Sequence, residues 1–336
     1  MKLFQRTQLT DRQERALEKT VQQIRIQRRN RFRVLACINT GDDSFDTVRM
    51  AARLAPTDDC DIIVLFVRPV DQGLWSGGLQ VRLARQNLLE AGFELPGISH
   101  LKRAIEILKE EGIDAESWPR LAGHQDAWGD PLGDNKIEYQ SPAGRTVVLK
   151  LKTAPDVADG ILDQYELGPY NLMILGEPSS WRGEVQSLFS AGVVQRVTML
   201  SPCSVLIVRP SEGKQGFFVC TDGSSRSMQA VRRAAVLAHT IGEPVTLFSA
   251  APDEQARAAA EENVENAKAL LKALGIAVAE ARVAIGNPVE CITRLGASFR
   301  IIVVTDEGRS WWQRLWRGSV AYEVVRDAPT SVLDVR

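Results

Sequence analysis

The chain repeats itself, and this constrains its fold more than any other feature. Cys37-Ile-Asn39 and Val48–Ala55 (VRMAARLA) recur 183 residues later as Cys220-Thr-Asp222 and Val231–Ala238 (VRRAAVLA). Pro202–Arg209 (PCSVLIVR) recurs 127 residues later as Pro329–Arg336 (PTSVLDVR). Two matches in the same order, at the start and end of a unit, indicate a duplicated domain. The offset falls from 183 to 127, so the first copy carries about 56 extra residues. Gly112-Ile against Gly275-Ile, and Pro155 against Pro288, divide that length into insertions at about 70–97 and 115–145. The polar, glycine-containing stretch 210–215 reads as a linker. The expected organisation is a basic N-terminal helical segment at 1–31, a first domain at 32–209 and a second at 216–336.

Both copies alternate short apolar runs with amphipathic helical stretches. In the second, strands are expected at 216–221, 245–250, 277–285, 300–305 and 331–335. Helices are expected at 224–239, 253–274, 289–298 and 319–326. The first copy gives strands at 33–38, 61–67, 146–152, 171–176 and 204–208. Its helices fall at 43–55, 100–112, 156–166 and 192–199. Apolar strands alternating with helices indicate a parallel sheet covered on both faces. The expected fold class is therefore α/β, as two tandem, doubly wound, five-stranded parallel-sheet domains of Rossmann-like type.

Composition narrows the function. The 41 basic and 42 acidic side chains leave a net charge of −1, unlike a protein that coats nucleic acid or an anionic membrane. The average conceals a segment, residues 1–33, with ten basic and three acidic side chains. No apolar run reaches the length of a membrane-spanning helix, and the first residues lack the apolar core of an export signal. Five scattered cysteines without a CxxC pair suit a reducing cytoplasm. Three histidines give little material for histidine catalysis or metal binding.

In a doubly wound sheet, ligands bind beyond the carboxyl ends of the strands, where the strand order reverses. Thr221-Asp222-Gly223-Ser224 and Thr305–Gly308 fall there. Asp222 suits either a helix-opening turn or an acceptor for ribose hydroxyls or an adenine amino group. Gly308 is followed by nine residues and then Gly318-Ser319 at the start of a helix. Glycines there let backbone amides approach phosphate oxygens, and the helix start adds its dipole.

The strand ending in Thr-Asp-Gly-Ser, the Ala-rich helix, Gly286-Asn-Pro288, Gly-9X-Gly-Ser and the closing Ala328–Arg336 together resemble the universal stress protein family. With the repeat, the chain is similar to tandem universal stress proteins, whose fold is Rossmann-like, of the adenine nucleotide alpha hydrolase type. The resemblance implies a non-enzymatic, cytoplasmic stress-response protein that binds ATP, with or without Mg, in its second domain. The implied contacts are Thr221 and Asp222, Ala250 and Val304 facing the base, and Gly308, Gly318, Ser319 and Val320 around the phosphates. The chain departs from the family loop in having Thr305 where the first glycine stands, with Glu307 beside it. The first copy departs further, with Asn39 in place of the aspartate. Its loop reads Gly176-Glu-Pro-Ser179, with eleven residues before Ala191-Gly192. Family members also pair their last strands, so either the two halves form an intramolecular pseudo-dimer or two chains form a homodimer.

Four of the seven tryptophans lie in these two loops: Trp181, Trp311, Trp312 and Trp316. They either anchor the loops or form a protein-interaction surface. The latter is the basis of an alternative function, a nucleotide-independent interaction module. A third alternative, an adenylating pyrophosphatase, would want a Ser-Gly-Gly-x-Asp-Ser loop that Asn39-Thr-Gly-Asp-Asp-Ser44 only faintly echoes. The N-terminal segment places Leu17, Val21 and Ile24 on one helical face. The 115–145 insertion, with His124, Asp126, Asp130 and Asp134 at no metal-site spacing, reads as a surface loop or hairpin.

Overall fold

The computed structural model describes residues 30–41, 44–69, 97–127, 130–166, 169–177, 191–305 and 320–336. The N-terminal segment up to 29, the first insertion and both Trp-bearing loops lie outside these residues. In the first half the elements are β1 (Phe32–Ile38), α1 (Phe45–Leu54), β2 (Cys60–Pro69), α2 (Ile98–Glu110), β3 (Arg120–Ala127), β4 (Asp130–Gln140), β5 (Thr146–Ala154), α3 (Val157–Glu166), β6 (Leu172–Gly176), α4 (Ala191–Leu200) and β7 (Ser204–Val208). In the second they are β8 (Phe217–Cys220), α5 (Ser225–Thr240), β9 (Val245–Ala251), α6 (Arg257–Ala273), β10 (Val278–Ile285), α7 (Pro288–Gly296), β11 (Ile301–Thr305), α8 (Val320–Asp327) and β12 (Ser331–Val335).

Local chemistry explains most boundaries. Strands β6 and β11 are almost wholly apolar, and β2 carries an unbroken apolar run from Ile62 to Val67, because each is buried on both faces. Ser224 opens α5 by accepting the Ser227 backbone N–H at 3.2 Å. Asn287 opens α7 in the same way, with Pro288 in the first turn, where a missing N–H costs nothing. Helix α6 starts at Arg257, later than the apolar pattern implied, because Asp253 turns the chain by accepting the Ala256 N–H. By contrast, β10 is an edge strand and carries exposed Glu280 and half-buried Arg282, charges that discourage pairing with another sheet.

All twelve strands form one sheet, ordered β10-β9-β8-β11-β12-β7-β6-β1-β2-β5-β4-β3. Counting the doubly wound strands within each half, both read 3-2-1-4-5. The 115–145 insertion supplies β3 and β4, an antiparallel hairpin laid on the outer edge of β5. It thus extends the first half beyond the expected five strands. No helix among the described residues is long and apolar enough to cross a membrane.

The halves join through one antiparallel pairing, in which Val332, Leu333 and Asp334 face Ile207, Leu206 and Val205. The repeated Ser-Val-Leu-x-Val-Arg sequence closes this seam reciprocally. Ser331 Oγ accepts the Arg209 N–H, and Ser204 Oγ accepts the Arg336 N–H. Arg209 Nη2 donates to the Val325 and Arg326 carbonyls at the end of α8, and its Nη1 to the Thr330 carbonyl. Arg336, its counterpart 127 residues on, donates to the Thr198, Met199 and Ser201 carbonyls at the end of α4. Each half thus supplies the cation for the carbonyl terminus of the other half's last helix, where the helix dipole favours positive charge. Arg209 also pairs with Glu177 at 2.7 Å, and its own side chain is 2% exposed.

Removing one partner of a buried ion pair leaves the other uncompensated, typically at about 3 kcal/mol or more. Arg209→Ala is therefore expected to lower unfolding stability by about that amount. Arg336→Ala should cost less, because its side chain is 19% exposed against 2% for Arg209 and its carboxylate contact, to Asp334 at 3.4 Å, is longer than the 2.7 Å pair of Arg209. Denaturant titration of both variants checks the order.

Candidate functional site

The strand order of the second half reverses between β8 and β11, which makes their carboxyl ends the place to look. The registers bring several of the expected residues to one edge. Cys220 pairs with Phe248, so two residues later Asp222, just past the end of β8, follows alongside Ala250 of β9. Val219 pairs with Val303, so Val304 and Thr305 stand beside Cys220 and Thr221. Asp222 is exposed, Ala250 half-buried and Val304 buried. Val320, at the start of α8, is exposed. Gly308, Gly318 and Ser319 lie outside the described residues.

The turn carrying Asp222 is tightly built. Thr221 is buried, shares a 3.0 Å hydrogen bond with Ser227 Oγ and accepts the Gly223 N–H at 3.2 Å. Asp222 Oδ1 accepts the Ser224 N–H at 2.9 Å. This is the turn role that sequence reasoning allowed, and it fixes the carboxylate at the mouth of the crevice. Gly223 has φ 77°, a conformation that favours glycine. Asn263, reaching over from α6, fills the space where a Cβ on Gly223 would project.

Asn263 was not among the residues expected from sequence. The signal for it was present in the alignment of Gly112 with Gly275, which sets Asn263 opposite His100 at offset 163. In the first half His100 occupies the equivalent place. Its Nε2 lies 3.3 Å from the Thr40 carbonyl, and Thr40 is the counterpart of Gly223. The His100 ring lies 6.1 Å from Phe45 and 5.7 Å from Phe66. Phe66 corresponds by register to Ser249 of the second half. Asn39, the counterpart of Asp222, is buried, and its Oδ1 accepts the Gly41 N–H at 2.6 Å. The two halves therefore share one turn but differ in what surrounds it. The first is packed with Phe45, Phe66 and His100; the second has Ser249, Asn263 and an exposed carboxylate.

Other chemistry is limited. Burial pushes the thiols of Cys37 and Cys220 well above the ordinary range, which opposes thiolate chemistry. Among the described residues, no group of three or more His, Cys, Asp or Glu is placed to hold a metal ion.

Gly223→Ala should destabilise the fold by about 1–2 kcal/mol through its left-handed backbone. The contact with Asn263 contributes less, because a side-chain amide can rotate away. Urea titration of Gly223→Ala and of Gly223→Ala/Asn263→Ala should therefore show most of the loss persisting in the double variant.

Comparison with known proteins follows the same division. Residues 217–336 match the model of the universal stress protein family. A protein from Pseudomonas aeruginosa UCBPP-PA14 described as a universal stress protein aligns at 13% identity, over 92% of this chain and 94% of that one, with TM-score 0.59. A universal stress protein from Archaeoglobus fulgidus DSM 4304 aligns at 16% identity, over 90% and 96%, with TM-score 0.57. A universal stress protein solved in complex with cAMP aligns at 29% identity, over 37% of this chain and 97% of that one, with TM-score 0.33. No curated protein sequence matches. The long alignments show a shared fold across nearly the whole chain, and the family match shows that residues 217–336 are a universal stress protein domain.

Proposed function

We propose that the chain is a tandem universal stress protein whose second half binds an adenine nucleotide, ATP, and that it acts by binding and without catalysis. The observation that carries this reading is the exposed carboxylate of Asp222. It is held by a closed turn at the point where the strand order reverses, with half-buried Ala250 beside it. A carboxylate there can accept from ribose hydroxyls or the adenine amino group. Asp222 and Thr221 would hold the nucleoside, with Ala250 and Val304 beside the base. Gly308, Gly318, Ser319 and Val320 would receive the phosphates, and any Mg would arrive on those phosphates. Among the described residues Ser249, next to Ala250, buries its hydroxyl without a hydrogen-bond partner, so this end of β9 is polar and incompletely satisfied. Among the described residues the first half sets the packed rings of Phe45, Phe66 and His100 beside the turn of a buried, uncharged Asn39, a poorer match to a nucleotide. In this reading it is a structural partner, and the seam makes the chain an intramolecular pseudo-dimer. The five cysteines are unpaired, four of them buried and Cys220 half-buried, which suits the reducing cytoplasm.

The test is calorimetric titration of the full chain with ATP, alongside thermal denaturation with and without millimolar ATP. Binding to the parent with one site per chain is expected. A hydrogen bond to a charged group is worth about 1.5–3 kcal/mol, so Asp222→Ala should weaken binding by about ten- to a hundredfold. Asn39→Ala should leave affinity unchanged. No heat and no thermal shift with ATP would overturn the reading and favour an interaction module acting through Trp311, Trp312 and Trp316.

A further inference from the structure

The two outer edges of the sheet, β10 and β3, are built differently. Mid-strand β10 carries exposed Glu280 and half-buried Arg282, and charges within a strand guard against edge-to-edge pairing. In β3 (Arg120–Ala127) the two formally charged residues, Arg120 and Asp126, stand near the two ends. Between them, Leu121-Ala-Gly-His-Gln125 contains no lysine, proline or acidic residue. Residues 120–123 are exposed, and Leu121, at 69%, is the most exposed large apolar side chain among the described residues. One side of β3 pairs with β4, and the other presents alternate N–H and C=O groups outward.

Gly123, in the middle of this strand, is not called for by the chain itself. A glycine within a strand weakens it and marks a bulge, a bend or the close approach of another backbone. Gly123 pairs in register with Lys136, and the ladder with β4 shifts only later, between Gln125 and Ala127. Its backbone is outside the left-handed region, and a Cβ placed there would meet nothing within 4 Å. Neither conformation nor packing among the described residues therefore requires glycine at this position.

We propose that β3 is a self-association edge, pairing antiparallel with β3 of a second copy of this chain about a two-fold axis at Gly123. In an antiparallel ladder residues stand directly opposite one another, so a two-fold axis between identical strands falls on a residue that faces its own counterpart. With the axis at Gly123, Ala122 falls opposite His124, Leu121 opposite Gln125, and Arg120 opposite Asp126 of the second copy. The opposite charges then meet twice, once on each side of the axis. An axis at Ala122 sets Arg120 opposite His124, and an axis at His124 sets Asp126 opposite Ala122. Gly123 is thus the centre about which the strand is complementary to itself. Inside the chain, β7 and β12 already close two edges by antiparallel pairing. Pairing at β3 repeats that device between chains and continues the sheet from one copy into the next. A strand edge alone buries less surface than a stable interface, so dimers are expected at about micromolar concentrations and above.

The experiment is sedimentation velocity of the full-length chain over about 1–200 µM, where a monomer–dimer equilibrium is expected. Opposite charges across a strand pair are favourable and like charges are not, and each reversal acts twice per dimer. Arg120→Glu and Asp126→Arg are therefore each expected to weaken dimerisation about tenfold or more. Mixing these two variants should restore association as a heterodimer, because each charge then faces its opposite. The double variant Arg120→Glu/Asp126→Arg should dimerise like the parent, and Glu280→Arg on the β10 edge should leave dimerisation unchanged. Unaltered urea midpoints separate lost pairing from lost folding. If a midpoint falls, Arg120→Gln and Asp126→Asn replace the reversals, with a smaller weakening expected. The proposal is overturned if the parent stays monomeric throughout this range. It is also overturned if the single variants dimerise as tightly as the parent, or if the mixture of reversals fails to associate. Loss of dimers in Glu280→Arg would assign the association to the β10 edge and overturn the β3 pairing.

Discussion

The reciprocal closure at β7 and β12 is the interaction on which the rest of the molecule depends. A doubly wound unit of strand order 3-2-1-4-5 ends on an edge strand, and an edge strand offers unpaired backbone groups to any other chain. Here the two last strands satisfy each other, and the sheet continues across twelve strands. Backbone pairing over three residues would not by itself fix two helical layers to one another. The two arginines do this, because each is anchored in one half's last strand and discharges its charge on the carbonyl end of the other half's last helix. A shift of one half along the other would break both sets of contacts at once. The seam therefore also sets where the carboxyl ends of β8 and β11 stand relative to α4 and β7.

Most of the architecture was legible in the sequence, and the reason is physical. Strands buried on both faces are predominantly apolar, so β1, β2, β6, β7 and β11 stand out against their surroundings. The residues at strand ends were legible too, since a turn into a helix calls for Asp, Gly and Ser in a short space, and Thr221–Ser224 provides them. What could not be read were contacts between distant parts of the chain. The repeat displayed Arg209 and Arg336 openly, but their capping partners lie 116 and 137 residues away, so a local pattern could not reveal them. The second insertion showed Gly, Pro and Asp, which suggest a loop or hairpin. That its strands extend the sheet depends on pairing with Thr146–Leu151 across the register of β4 and β5. Asn263 and His100 escaped notice because each acts through its distance from a turn some 40 to 60 residues earlier, and neither belongs to a motif.

The duplicated halves have diverged at the turn after the first strand and in the residues around it. In the first half the equivalents of the site residues are turned inward. Asn39 is buried in its own turn, Phe66 and His100 pack against each other beside the Thr40 carbonyl, and Glu177 pairs with Arg209. Each of these substitutions places a partner within reach of a group that would otherwise need one from outside. In the second half the same positions hold Asp222, Ser249, Asn263 and Arg336. They leave an exposed carboxylate, an orphaned hydroxyl and a guanidinium nitrogen without a partner among the described residues. Buried polar groups left unsatisfied cost about 1–3 kcal/mol each, so they persist where something outside the chain completes them or where stability is in surplus. In the first half the seam arginine is paired with Glu177, and through β7 that half holds the second in register. A single-domain version of residues 217–336 would lack both the β7 edge and the Arg209 cap on α8. The division of labour between a closed half and an open one follows from the same seam that makes the two halves one body.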